Sequence, residues 1–163
     1  MSFDLNAMEA IKQLKYRYVR ALDTADLETL GTCFTDDAHI KFEGGIYTVE
    51  YTGRDAILEF MGMSFHSKAA TSHQVHHPVI EIESETRATG QWSLQDYFYD
   101  LNMKMIVFGA SEYHDVYVKE GDAWKIADSG YTRLYEMTQP FPESLTCTFN
   151  KLAETGRDVT LGI

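Results

Sequence analysis

Five side chains stand out by position among those able to move a proton or hold a polarised oxygen: Tyr18, Asp23, His73, Asp96 and Arg133. In "LKYRYVRALDTAD" apolar positions recur at Ile11, Leu14, Tyr18, Ala21 or Leu22, and Ala25, the spacing of one helical face. Asp23 stands where that face stops. A helix C-terminus carries partial negative charge, so a carboxylate there is poorly placed unless something else holds it. One reading makes Asp23 the cap of a following helix, which "DTAD" permits. The other makes it a functional carboxylate one step from the buried stripe. His73 opens a strand, where a half-buried imidazole serves structure as readily as catalysis. In "GQWSLQDYF" Trp92, Leu94 and Asp96 share one strand face, so an inward Trp and Leu bring the carboxylate inward with them. A buried carboxylate requires a partner or a raised pKa. Arg133, in "SGYTRLYE", is the candidate partner, with an outward position on the sheet as the alternative. Tyr18 on the helical stripe reads as a core aromatic whose hydroxyl needs an acceptor.

Other chemistries find less support. His66 stands apart, while His76 and His77 close the run "HQVHH" that His73 opens; its spacing does not suit a helical histidine pair and no thiol or carboxylate accompanies it, so no metal site is expected. The glycines form neither a phosphate loop nor a dinucleotide fingerprint, and no serine stands in a nucleophile-elbow context. Cys33 and Cys147 are far apart and read as two unrelated reduced thiols. A net charge of −11 argues against a nucleic-acid or anionic-membrane partner. No apolar run is long enough to span a bilayer, and "MSFDLNAMEA" lacks the basic and apolar regions of a signal peptide, so the expected compartment is the cytoplasm.

The elements that must position these groups follow from periodicity. At 163 residues, with no repeat and no linker, the chain suits one domain over 1–163. "TADLETLGTCF" reads as a short second helix capped by Thr24 or Asp26, with Leu27, Leu30 and Phe34 on one face. "DDAHIKFEGGIYTVEY" reads as a hairpin in which Ala38, Ile40 and Phe42 alternate with polar residues and the glycines turn. "TGRDAILEFMGMSF" reads as a third helix beginning near Thr52 or Gly53. Long strands follow. The first carries Pro78, which marks an edge or a bulge. Helices first and antiparallel strands after them imply an α+β fold, with a curved sheet wrapping the helices and an apolar pocket between.

On these residues the chain resembles the SnoaL-like branch of the nuclear transport factor 2 superfamily. The motifs are "LKYRYVRALDTADLETLGTCFTDDA", "TSHQVHHPVIEI", "GQWSLQDYF" and "WKIADSGYTRLYE", covering about residues 5–137 and leaving 138–163 as an unmatched tail that covers either the pocket mouth or a subunit contact. The order and spacing are most similar to the bile acid 7α-dehydratases. More distantly they resemble scytalone dehydratase and hexachlorocyclohexane dehydrochlorinase, which share the Asp–His part. The resemblance implies a cone-shaped, cystatin-like α+β barrel with an antiparallel-rich sheet. It implies a pocket holding Tyr18, Asp23, His73, Asp96 and Arg133, with Asp23 hydrogen-bonded to His73. Phe42 occupies the position of the base in ketosteroid isomerases, and a phenyl ring takes no proton.

The resemblance therefore implies a cofactor-independent lyase that eliminates water from a hydrophobic polycyclic hydroxy-ketone, with steroids and bile acids within that class. His73 would be the base and Asp23 its support. Tyr18 would donate to the enolate oxygen, and Asp96, aided by Arg133, would bind or protonate the departing hydroxyl. A polyketide cyclase or isomerase using the same base is the alternative enzyme, and a non-catalytic small-molecule binder the alternative class. The expected partners are a small hydrophobic substrate and further copies of the chain, as a homotrimer or homodimer, with no nucleic acid, membrane, metal or cofactor.

Overall fold

The structure is a computed structural model and describes residues 4–159. Helix α1 spans Leu5–Asp23 and α2 spans Leu27–Cys33. They are separated by a turn in which Ala25 adopts a left-handed φ of 51°. Ala25 thus lies just past the helix rather than on its stripe. Of the two cap candidates for α2, Asp26 performs the role, its Oδ1 accepting from Thr29 N at 2.9 Å. Phe34, placed on that helix by spacing, is instead the first residue of strand β1, Phe34–Glu43. Strand β2 (Thr48–Thr52) returns against β1 as the expected hairpin. Helix α3 (Arg54–Ser64) follows from Gly53, whose φ of 93° suits a residue without a Cβ.

Four long strands complete the chain: β3 (Ala69–Ile82), β4 (Arg87–Asp100), β5 (Met105–Glu120) and β6 (Ala123–Pro140). A single turn of helix, α4 (Leu152–Thr155), comes last. The sheet order is β2-β1-β6-β5-β4-β3, antiparallel throughout except where β1 runs parallel to β6. The curved sheet does not close into a barrel, because β2 and β3 remain as edges. Pro78 sits on edge strand β3 within a register shift between His76 and Val79, where its missing N–H breaks no interior ladder.

Helix α1 packs against β3 and α3 against β1, which closes the concave face. Ile11, Leu14, Tyr18 and Leu22 of α1 meet Trp92 and Leu94 of β4 and Tyr113 and Tyr117 of β5 in the core. Burial of such aliphatic side chains contributes about 1.5–3 kcal/mol each. One charge crosses this core. The fully buried Lys15 lies i+4 from Ile11, with its Nζ 2.8 Å from Asp115 Oδ2 and 3.4 Å from the centroid of the Tyr113 ring. Tyr117 donates to Asp115 Oδ2 at 2.6 Å, Ser129 to Oδ1 at 2.7 Å, and Trp92 Nε1 to the Tyr117 oxygen at 2.9 Å. Burial pushes the Lys15 ammonium pKa down, and the Asp115 carboxylate opposes that shift. The cluster ties α1 to β4, β5 and β6 in one register.

The chain beyond β6 folds back on the loop between α3 and β3. Asn150 Nδ2 donates to the carbonyls of Ser67 and Ala69, and Ser67 N donates to Arg157 O at 2.9 Å. Arg157 also reaches Glu59 of α3 at 2.8 Å. Among the described residues, no part of this tail past β6 lines the cavity described below. No helix among them is long and apolar enough to cross a membrane.

Candidate active site

A cavity of about 400 Å³ opens between the helices and the concave face of the sheet. Its walls are mostly apolar, with Phe42, Phe60, Phe98, Met61, Met105 and Val107 among them. Tyr18, His73, Asp96 and Arg133 all line it. Asp23 stands behind His73.

Asp23 is the last residue of α1, and β3 crosses that helix end. Three donors from β3 converge on it. His73 Nδ1 lies 2.7 Å and Thr71 Oγ1 2.8 Å from Asp23 Oδ1, while the backbone N of His73 lies 2.8 Å from Oδ2. These bonds offset the unfavourable helix-end field, and the capping task falls to Asp26. An ionised carboxylate only accepts, so His73 Nδ1 carries a proton, and in the neutral ring the lone pair lies on Nε2. The ring is nearly buried and meets the edge of Phe65 at a centroid distance of 5.5 Å.

The second polar cluster gathers around Arg133. The residue directly between β4 and β6 in this register is Gly109, paired to Asp96 on one side and Glu136 on the other. Without a side chain there, Arg133 crosses β5 to reach Asp96. A Cβ at 109 would collide with the Tyr135 carbonyl and sit 3.3 Å from Arg133 Nη1. The guanidinium grips both oxygens of Asp96, with Nη2 2.9 Å from Oδ2 and Nη1 bonded to Oδ1. It also donates to Ser111 Oγ at 3.1 Å, Tyr47 Oη at 3.1 Å and Glu136 Oε2 at 3.1 Å. Burial opposes the charge on Arg133, but the bonds to Asp96 outweigh it and hold the group firmly protonated. Tyr47 in turn shares a hydrogen bond with Tyr131, which stacks on Phe42 at 4.7 Å between centroids.

Tyr18 is fully buried and, among the described residues, no hydrogen bond within 3.5 Å engages its hydroxyl, the Tyr113 phenol being the neighbour that acts on it. Burial pushes its pKa up, so the phenol keeps its proton and can donate to a ligand oxygen. Its ring packs edge-on against Phe34 and Tyr113. His76 and His77 lie at the β3 bulge with their Nδ1 atoms 2.9 Å apart, and His66 lines the cavity separately.

The structure therefore brings Tyr18, His73, Asp96 and Arg133 to one cavity, with Asp23 behind His73. Sequence reading missed Thr71, Ser111, Tyr131 and Glu136 around them, and Tyr47 in the β1–β2 turn. Thr71 and Tyr131 were within reach of strand alternation, each two residues before a named site residue and so on the same face. Tyr47 and Ser111 carried no such signal.

An open curved sheet, three helices on its concave side and a polar-ended apolar cavity define a fold with wide reach. The chain belongs to the SnoaL-like domain family, whose pattern matches residues 4–129. Among solved structures it is similar to a hexachlorocyclohexane dehydrochlorinase, LinA type 2 (19% identical, 86% of this chain and 97% of that one, TM-score 0.74). It is also similar to a candidate scytalone dehydratase from Novosphingobium aromaticivorans (24% identical, 88% and 97%, TM-score 0.69). A third is ActVI-ORFA from Streptomyces coelicolor (18% identical, 79% and 98%, TM-score 0.64). At these identities the likeness concerns the fold, and the chemistry must be argued from the site.

Proposed function

We propose that this protein is a cofactor-independent dehydratase acting on a hydrophobic polycyclic hydroxy-ketone, with steroid and bile-acid skeletons within its substrate class. One observation carries the reading: the Asp23–His73 pair, at 2.7 Å, with His73 lining an apolar cavity. His73 Nε2 removes a proton from carbon made acidic by a carbonyl. Asp23 holds the ring in the required tautomer and stabilises the imidazolium that forms. Tyr18, a buried donor with no acceptor within 3.5 Å among the described residues, hydrogen-bonds the developing enolate oxygen. The hydroxyl leaves at the end occupied by Asp96 and Arg133. Low dielectric in the cavity strengthens each of these interactions. A volume of about 400 Å³ falls within the range of small-molecule sites.

A panel of steroidal and polyketide hydroxy-enones, followed by ultraviolet absorbance and by mass for loss of water, tests the proposal. Elimination by the wild type that disappears in His73→Ala supports it. Absence of elimination across the panel, or its survival in His73→Ala, overturns it. Assembly as a homotrimer or homodimer belongs to the same proposal. Leu134, Tyr135 and Met137 are exposed along distal β6 and supply apolar surface for it. Sedimentation as a monomer at micromolar concentration would count against it.

A further inference from the structure

The hydrogen inventory of the Arg133 cluster leaves one proton unassigned on a cavity-lining group; the Ser111 hydroxyl, also without an acceptor, is fully buried and outside the lining. A guanidinium has five N–H groups. Those of Arg133 are all engaged by protein: Nε by Glu136, Nη1 by Asp96 and Ser111, Nη2 by Asp96 and Tyr47. Arg133 therefore has no donor left for a ligand. Asp96 is gripped at both oxygens by a permanently charged partner and supplies no proton of its own. What remains is the hydroxyl pair of Tyr47 and Tyr131, which has two O–H protons and needs only one for the bond between them. Tyr47 accepts from the guanidinium, which withdraws electron density and makes it the stronger donor of the two. It therefore donates to Tyr131, and the free proton belongs to Tyr131.

We infer that Tyr131 is the residue that donates directly to a substrate oxygen at this end of the cavity, and that Asp96, Arg133 and Tyr47 are positioning residues behind it. Tyr131 lines the cavity and is held face-on by Phe42 and edge-on by Tyr113, at a centroid distance of 5.2 Å. Burial pushes its pKa well above the ordinary phenol value, so it stays protonated at any working pH. Hydrogen bonds in series polarise one another, so the charge of Arg133 is felt at Tyr131 through Tyr47. The binding half of this inference stands on the hydrogen-bond count, and its catalytic half rests on the dehydratase reading. In that half, His73 takes the proton from carbon and the C–H electron pair becomes the new double bond. The C–O bond breaks with its pair on oxygen, and the Tyr131 proton moves to that oxygen to give water. The phenolate recovers its proton from the His73 imidazolium through water.

Two measurements test this. The first compares affinities for 2-naphthol and naphthalene, probes that differ by one hydroxyl, in a Tyr18→Phe, Tyr113→Phe background that removes the cavity-lining phenols outside the Tyr47–Tyr131 pair. Adding Tyr131→Phe is expected to weaken 2-naphthol binding about fivefold to tenfold and leave naphthalene unchanged. Adding Tyr47→Phe should weaken it by less. An unchanged ratio in Tyr131→Phe, or a larger loss in Tyr47→Phe, overturns the assignment. The second measurement compares elimination from a hydroxy-ketone and from its chloro analogue, whose leaving group needs no proton. Tyr131→Phe should slow loss of water by about 100-fold or more while loss of chloride changes only a few fold. Equal losses on both substrates overturn the proton-donor role. A wild type that eliminates from neither substrate overturns the dehydratase reading, and the naphthol ratio still decides which hydroxyl holds the free proton.

Discussion

Asp23 and His73 lie fifty positions apart in the chain and are joined twice: by the ring Nδ1 at 2.7 Å and by the backbone N at 2.8 Å. The double contact fixes the strand as well as the ring, so the imidazole is presented to the cavity by a rigid support. On the proposed mechanism His73→Ala is expected to lower turnover by about 10²–10⁴-fold while ligand affinity stays within a few fold. Asp23→Asn should also be strongly impaired, because an amide orients the ring but does not stabilise its positive charge. Steady-state kinetics alongside ligand titration separates the two effects.

Thr71 gives Asp23 its third hydrogen bond and touches nothing in the cavity. Thr71→Val is expected to reduce kcat about tenfold with KM nearly unchanged, the value of one hydrogen bond to a charged group. Thr71→Ser, which keeps the hydroxyl, should restore most of it. A change confined to KM would mean that Thr71 shapes the cavity instead.

Lys15 and Asp115 are both fully buried as side chains. Lys15→Met leaves the Asp115 carboxylate without its cation and should destabilise the fold by about 3–5 kcal/mol. The double variant Lys15→Met with Asp115→Asn removes both charges and is expected to recover a large part of that loss. Urea unfolding of the three proteins provides the comparison.

His39 on β1 pairs with Asp128 of β6 at 2.8 Å and with Glu50 of β2 at 3.2 Å. Its bond to Asp128 raises its pKa above the ordinary imidazole value of about 6.5, against burial and with help from Glu50. The folded state then binds the proton more tightly than the unfolded chain. The resulting stability is fully present below about pH 6.5 and is lost as pH rises through the folded value. His39→Gln should therefore destabilise more at about pH 5.5 than at about pH 9. The difference should be no more than about 1 kcal/mol, since the partners are half exposed. Thermal melts at the two pH values measure it.

Alternation and helical spacing were enough to place α1, α3, the β1–β2 hairpin and the inward face of β4, because those periods are local properties of the backbone. They put Trp92, Leu94 and Asp96 on one face, and Pro78 at an edge, before any contact was known. The sequence also held the tyrosine, aspartate, histidine and arginine whose order resembles that of a known family. Local rules were silent on what those groups meet. "DTAD" satisfies a helix cap as well as a dyad, and the choice fell only when β3 crossed the end of α1 and brought Thr71 and His73 to Asp23. Nothing near Lys15 announces Asp115, a hundred positions away. Nothing near Arg133 announces that Gly109 leaves a gap through which it reaches Asp96. Even the parallel pairing of β1 with β6 was hidden, since it joins strands separated by most of the chain. Spacing along the chain sets which way a side chain points, whereas its partner is set by the packing of elements that only the whole fold brings together.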